Sequence, residues 1–185
     1  MGPHDLRGTL RAGREGSLDG AVRDGIDQAP GPVWLVAHSF GCLAAVLAAS
    51  SRPEQVAGLL LVAPADPERF TPQGLRGART APEQPSLARW IPRSPPGAPS
   101  LVVASTNDPW VRLSSAAYWA QCWGSQLVNI GAAGHINVDS GHGPWPRGLT
   151  LFKALQAAQG DLPLGTIPCR SRCSDSLPLP RREIA

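Results

Sequence analysis

A chain of 185 residues, 42% of them hydrophobic, is long enough to close one domain around an apolar core and too short for two catalytic domains. Its net charge of +3 is small and its basic residues are scattered, with a mild cluster only at Arg170, Arg172, Arg181 and Arg182, so it lacks the basic footprint of a nucleic-acid binder. The longest apolar run, residues 59–65, is far too short to span a bilayer, and the first residues lack the basic-then-apolar order of a secretion signal; the expected location is cytoplasmic, away from membranes.

Cys42, Cys122, Cys169 and Cys173 show neither dense disulfide spacing nor a paired metal-ligand pattern, and they read as thiols. Arginine almost wholly replaces lysine, Lys153 standing alone, and alanine and proline are abundant, a bias that points to GC-rich coding and a bacterial source.

Residues 1–16 carry no periodic pattern and read as an irregular segment. Behind Ser17, a candidate N-cap, Leu18, Val22 and Ile26 recur at four-residue steps, predicting an amphipathic helix over residues 18–29 that ends at Pro30-Gly31-Pro32. The next stretch, VWLVAHSFGCLAAVL from Val33, reads as a buried strand over residues 33–37, a tight turn, and a helix over residues 41–50. Three further short apolar runs, residues 59–63, 101–105 and 127–130, are bounded by proline and glycine, as strands of a parallel sheet buried on both faces would be. Helices are expected over residues 111–123 and 146–159, the latter with Leu149, Phe152 and Leu155 on one face. The alternation of strand and helix implies a parallel sheet with right-handed crossovers. Residues 64–99, rich in Pro, Gly, Arg and Gln, form an expected excursion above the sheet, and residues 161–185, without periodicity or aromatic residues, read as a disordered tail.

Ser39 stands at the apex of the first strand-to-helix turn, between the small residues Ala37 and Gly41. Such a turn projects a serine from the carboxyl end of the sheet beside a helix amino terminus, where backbone N–H groups stabilise developing negative charge. The first position of the usual G-x-S-x-G pattern is alanine here, and the bland alternative is a serine that merely caps the following helix.

A serine hydroxyl needs a base to become a nucleophile, and that base is usually an imidazole oriented by a carboxylate. Asp108 follows the third strand in Ser105-Thr106-Asn107-Asp108-Pro109, and His135 follows the fourth in Gly131-Ala132-Ala133-Gly134-His135. Each has a structural reading, Asp108 as a turn initiator before Pro109 and His135 as a loop histidine bonded to backbone. Together with Ser39 they fall at the carboxyl ends of parallel strands, where open α/β sheets place their sites, in the chain order Ser, Asp, His. His142 competes as the base from the Gly141-His142-Gly143 turn, whereas His38 is expected to pack or to support the site.

These segments, with the distinctive stretch GSQLVNIGAAGHINVDSGHGPWPRG from Gly124, resemble the small single-domain serine hydrolases of the RBBP9/YdeN type within the α/β-hydrolase superfamily, over about residues 17–158. The resemblance implies Ser39 as nucleophile, Asp108 as orienting acid, His135 as general base, the backbone N–H of Phe40 as one oxyanion donor, and small ester or amide substrates with no cofactor or metal. Family members begin with a strand and a loop of the PGLxxSGxxHWQ type that supplies the second oxyanion donor, and nothing equivalent is legible before Ser17. The strand over residues 33–37 is therefore expected at an exposed sheet edge, and loss of one oxyanion donor costs about a hundredfold to a thousandfold in turnover.

The expected protein is a three-layer α/β-hydrolase-like parallel sheet with helices on both faces, N-terminally truncated, occupying residues 17–160 and acting through an acyl-enzyme as a monomer or weak oligomer. Its rival is a weak or inactive hydrolase scaffold that binds a peptide or partner. The discriminator is whether Ser39 reaches His135 and His135 reaches Asp108. Trp90, Trp110, Trp119 and Trp145 either wall a pocket or serve as ordinary packing.

Overall fold

The computed structural model describes residues 18–77 and 84–160; the expected N-terminal segment, its cap Ser17 and the tail lie outside the described residues. Four apolar runs form strands: β1 (Val33–His38), β2 (Val56–Val62), β5 (Ser100–Ala104) and β6 (Gln126–Asn129). All three pairings are parallel and the order is β1-β2-β5-β6, with Val36 opposite Leu60, Leu60 opposite Leu101, and Leu101 opposite Gln126. Among the described residues β1 pairs with β2 alone and forms an edge, as expected.

The period of two along each strand divides the core. Leu59, Leu61 and Val102 face one side, where they pack with Ile26 of α1 (Gly20–Asp27), with Leu43 and Val46 of α2 (Phe40–Ser51), and with Trp119 of α3 (Leu113–Cys122). Leu60, Val62, Leu101 and Val103 face the other, against Leu151, Phe152 and Leu155 of α4 (Pro146–Gly160). Covering both faces explains why β2 and β5 read as unbroken apolar runs and not as alternating ones. Helix α2 is buried nearly all round, from Cys42 to Ala49. No helix among the described residues is long and apolar enough to cross a membrane.

Two details depart from expectation. Helix α1 starts at Gly20 behind Asp19, whose side chain makes no capping bond; its carboxylate instead meets Arg23 Nε at 3.2 Å, and its carbonyl accepts the Arg23 N–H. The excursion after β2 also contains a short antiparallel hairpin, β3 (Phe70–Thr71) and β4 (Gly74–Leu75), reached through a single 3-10 turn, Pro67–Arg69. Two-residue strands carry too little pattern to be read from sequence. The excursion is pinned on its return by Trp123 Nε1, which donates to Pro92 O at 3.0 Å.

Gly58 sits opposite Trp34 in the β1–β2 register, and the indole lies directly over it while meeting Phe152 edge-on at 5.6 Å. A Cβ there would stand 2.4 Å from the Trp34 ring and 3.1 Å from the Pro99 carbonyl. Gly58→Ala is expected to lower stability by about 1–3 kcal/mol, read as a shift in the urea midpoint without a change in slope.

Candidate active site

Ser39 joins β1 to α2 with φ 54° and ψ −124°, a backbone conformation in which a non-glycine residue is strained. Three hydrogen bonds hold it there. Its N–H donates to Val62 O at 2.9 Å, and its carbonyl accepts the N–H groups of Cys42 and Ala65, each at 3.1 Å. The side chain makes no capping bond to α2, so the bland reading of Ser39 as an N-cap does not apply. Ala37 and Gly41 face one another across the turn, but a Cβ at position 41 would reach Ala37 Cβ only at 4.0 Å. That is an ordinary contact, and the space would accept a methyl group.

The hydroxyl points instead at a histidine. Ser39 Oγ lies 2.9 Å from His135 Nε2, and His135 Nδ1 lies 2.9 Å from Asp108 Oδ2. His135 is 9% exposed, and the Asp108 side chain is wholly buried. A neutral imidazole with its proton on Nδ1 donates to the carboxylate and leaves Nε2 free to accept the serine proton. Asp108 also keeps its turn role, because Oδ1 accepts the Trp110 N–H at 2.8 Å. One carboxylate oxygen shapes the loop and the other meets the imidazole. Phe40, the residue after Ser39, opens α2 and carries its N–H at the helix amino terminus.

The loops that carry Asp108 and His135 are stitched to each other. Thr106 N–H donates to Gly131 O at 2.9 Å. Ser105, 1% exposed, accepts the Ala133 N–H at 3.0 Å and donates to Asn107 Oδ1 at 2.8 Å, and that same oxygen accepts the Gly134 N–H at 2.7 Å. Gly134, at φ 59°, lies so close to Ser140 that a Cβ would come within 2.6 Å of the serine Cβ. A reciprocal pair of bonds between Asn137 and Ser140 then closes the following turn. Ser105 and Asn107 were visible beside Asp108 in the sequence, but nothing in their spacing identified their partners some 27 or 28 residues away.

The four histidine positions divide cleanly. His38 Nε2 donates to the His135 carbonyl at 2.8 Å and its ring lies 4.7 Å from the His135 ring, a supporting place as expected. His142 has Nδ1 3.1 Å from Ser140 O and packs edge-on toward Trp145. His4 lies outside the described residues. Cys42 sits beneath the turn, fully buried, its thiol donating to Val62 O at 3.4 Å, and burial pushes that thiol far above the ordinary cysteine range.

Aromatic residues surround the opening unevenly. Phe40 meets Phe70 of β3 at 5.2 Å, and the half-exposed Trp110 lies 6.5 Å from the His135 ring. Trp119, one of the four tryptophans considered as pocket walls, is instead core. A cavity of about 260 Å³ lies beside Val36, His38, Ile136 and Trp145, and one of about 650 Å³ lies beside Asp66, Arg69, Asp108 and Arg112.

Parallel strands between helices, with a serine at a strained strand-to-helix turn and an imidazole and carboxylate on later strand ends, define the α/β-hydrolase fold class. The sequence profile of the family described as serine hydrolase matches residues 17–154, and the chain belongs to that family. It is similar to a YdeN-like hydrolase from Pectobacterium atrosepticum, with 39% identity and a TM-score of 0.61 over 75% of this chain and 66% of that one. The ydeN gene product of B. subtilis shares the fold at 22% identity and a TM-score of 0.57, covering 84% of this chain and 79% of that one. So does the esterase domain of a Rhodothermus marinus protein, at 21% identity and a TM-score of 0.53 over 78% and 70%. The chain therefore spans just under two thirds of the Pectobacterium protein's length. No curated protein matches it.

Removing the Ser105 hydroxyl would leave the Ala133 N–H and Asn107 without their link inside a closed loop pair. Ser105→Ala is expected to cost about 1–3 kcal/mol in urea-induced unfolding.

Proposed function

We propose that the chain hydrolyses small ester or amide substrates through an acyl-enzyme, with Ser39 as nucleophile, His135 as general base and then general acid, and Asp108 as the orienting carboxylate. The single observation that supports this reading is the unbroken line of contacts from Ser39 Oγ through His135 to Asp108, each step 2.9 Å. Membership of the serine hydrolase family supports it independently.

In the acylation step Ser39 Oγ attacks the substrate carbonyl carbon as its proton passes to His135 Nε2. The imidazolium is stabilised by Asp108 without transfer of the second proton. The tetrahedral oxyanion forms beside the amino end of α2, where the Phe40 N–H is the expected donor. Collapse breaks the bond to the leaving alcohol or amine, which takes the proton from His135. Water then enters, gives its proton to His135, attacks the acyl carbon, and releases the carboxylic acid while Ser39 recovers its proton. The half-exposed rings of Trp110 and the Phe40–Phe70 pair favour an apolar acyl or alcohol group near the opening.

A fluorophosphonate probe reacts only with an activated serine and tests the reading directly. The purified chain is expected to label, and both Ser39→Ala and His135→Ala are expected to abolish labelling while keeping the far-ultraviolet circular dichroism of the wild type. A folded wild-type chain that does not label would overturn the hydrolase reading in favour of a binding scaffold.

A further inference from the structure

The contacts that set the triad do not stop at Asp108. Pro109 has no amide hydrogen, so the first downstream N–H available to the Asp108 carboxylate is that of Trp110, which donates to Oδ1 at 2.8 Å. Trp110 is in turn gripped by Arg69. The Arg69 Nη1 donates to Trp110 O at 2.6 Å and to Pro109 O at 3.2 Å, and its guanidinium carbon lies 5.8 Å from the centre of the Trp110 ring. Arg69 is itself presented from a fixed base, since its N–H donates to Asp66 O at 3.0 Å and its carbonyl accepts the Arg76 N–H at 2.7 Å.

We infer that Arg69 is a positioning residue: by holding Trp110, it fixes the Asp108 carboxylate that orients His135. The inference rests on the triad reading proposed above and deepens it. The peptide link around Trp110 carries both ends of the argument, its carbonyl tied to Arg69 and its N–H tied to Asp108. Without the guanidinium the Pro109–Trp110 carbonyls lose their donor, and the loop that aims Asp108 keeps only its own turn and its bonds to the loop after β6. One nitrogen, Nη1, bonds both successive carbonyls, and what sets guanidinium apart from an ammonium at this place is its flat, weakly hydrated face against the Trp110 indole. The same contact makes the excursion after β2 part of the site, since Arg69 belongs to that excursion and Asp108 to the loop after β5.

Two readouts separate positioning from simple stapling of the fold: the second-order rate of fluorophosphonate labelling, and the far-downfield proton signal of the His135 Nδ1–H bonded to Asp108. Arg69→Ala is expected to label about tenfold to a hundredfold more slowly, with the downfield signal broadened, and millimolar guanidinium chloride is expected to restore part of both. Arg69→Lys, which keeps charge and stem, is expected to fall between the two and carries the test if the alanine variant fails to fold. Either folded variant labelling within about twofold of wild type, with the signal intact, would overturn the role of Arg69 and leave the triad reading standing. A wild-type chain that neither labels nor gives the signal would overturn the triad reading and this inference with it.

Discussion

The backbone of Ser39 is the constraint on which the rest of the site depends. A serine at φ 54° and ψ −124° is strained by about 1–3 kcal/mol, and such a conformation persists only where its surroundings over-determine it. Here the parallel register of β1 on β2 brings Val62 O to the Ser39 N–H, and the chain leaving β2 returns the Ala65 N–H to the Ser39 carbonyl. That register is set in turn by the fully buried Leu59 and Leu61 beneath α2 and by Gly58 making room for Trp34. A slip of one residue would send every side chain of β1 to the opposite face, so the direction of the Ser39 hydroxyl is a property of sheet packing before it is a property of the turn.

Much of this was legible in the sequence for identifiable reasons. β2 and β5 are apolar on consecutive residues because both of their faces are covered, and that unbroken pattern marks a parallel sheet between two helical layers. Ser39, Asp108 and His135 could be grouped because they follow the carboxyl ends of β1, β5 and β6, and sheet topology converts that sequence position into spatial proximity. His142 was separable from His135 on the same ground, being farther from its strand. Sequence could not supply the partners of Ser105, Asn107 and Arg69, since their bonds join segments 27 to 41 residues apart and obey no local period. The demand for a small residue at position 41 proved softer than the turn motif suggests, because Ala37 leaves a methyl-sized gap.

The polar links around the site distribute its rigidity unequally. Ser105, Thr106 and Asn107 bind the loop after β5 to the loop after β6, so the carboxylate and the imidazole belong to one hydrogen-bonded unit. His38 adds a bond from β1 to the His135 carbonyl, joining that unit to the turn at Ser39. The Ser39–His135–Asp108 contacts are thus flanked by backbone donors and acceptors that are already paired. Buried polar groups satisfied in this way specify one arrangement, because each alternative would leave a donor or acceptor without a partner.

The strand that leads to Ser39 is bonded along only one side among the described residues, and Val36 on it is 62% exposed. Among the described residues its ladder is paired on one side, where that of β2 is paired on both. Cooperative opening in proteins begins at such margins, and amide exchange along β1 would run ahead of exchange in β2 and β5. The Ser39–His135 contact would then be lost on heating while the leucine and valine core still held, so the temperature at which that contact breaks would report the fraying of one strand and lie below the melting of the domain.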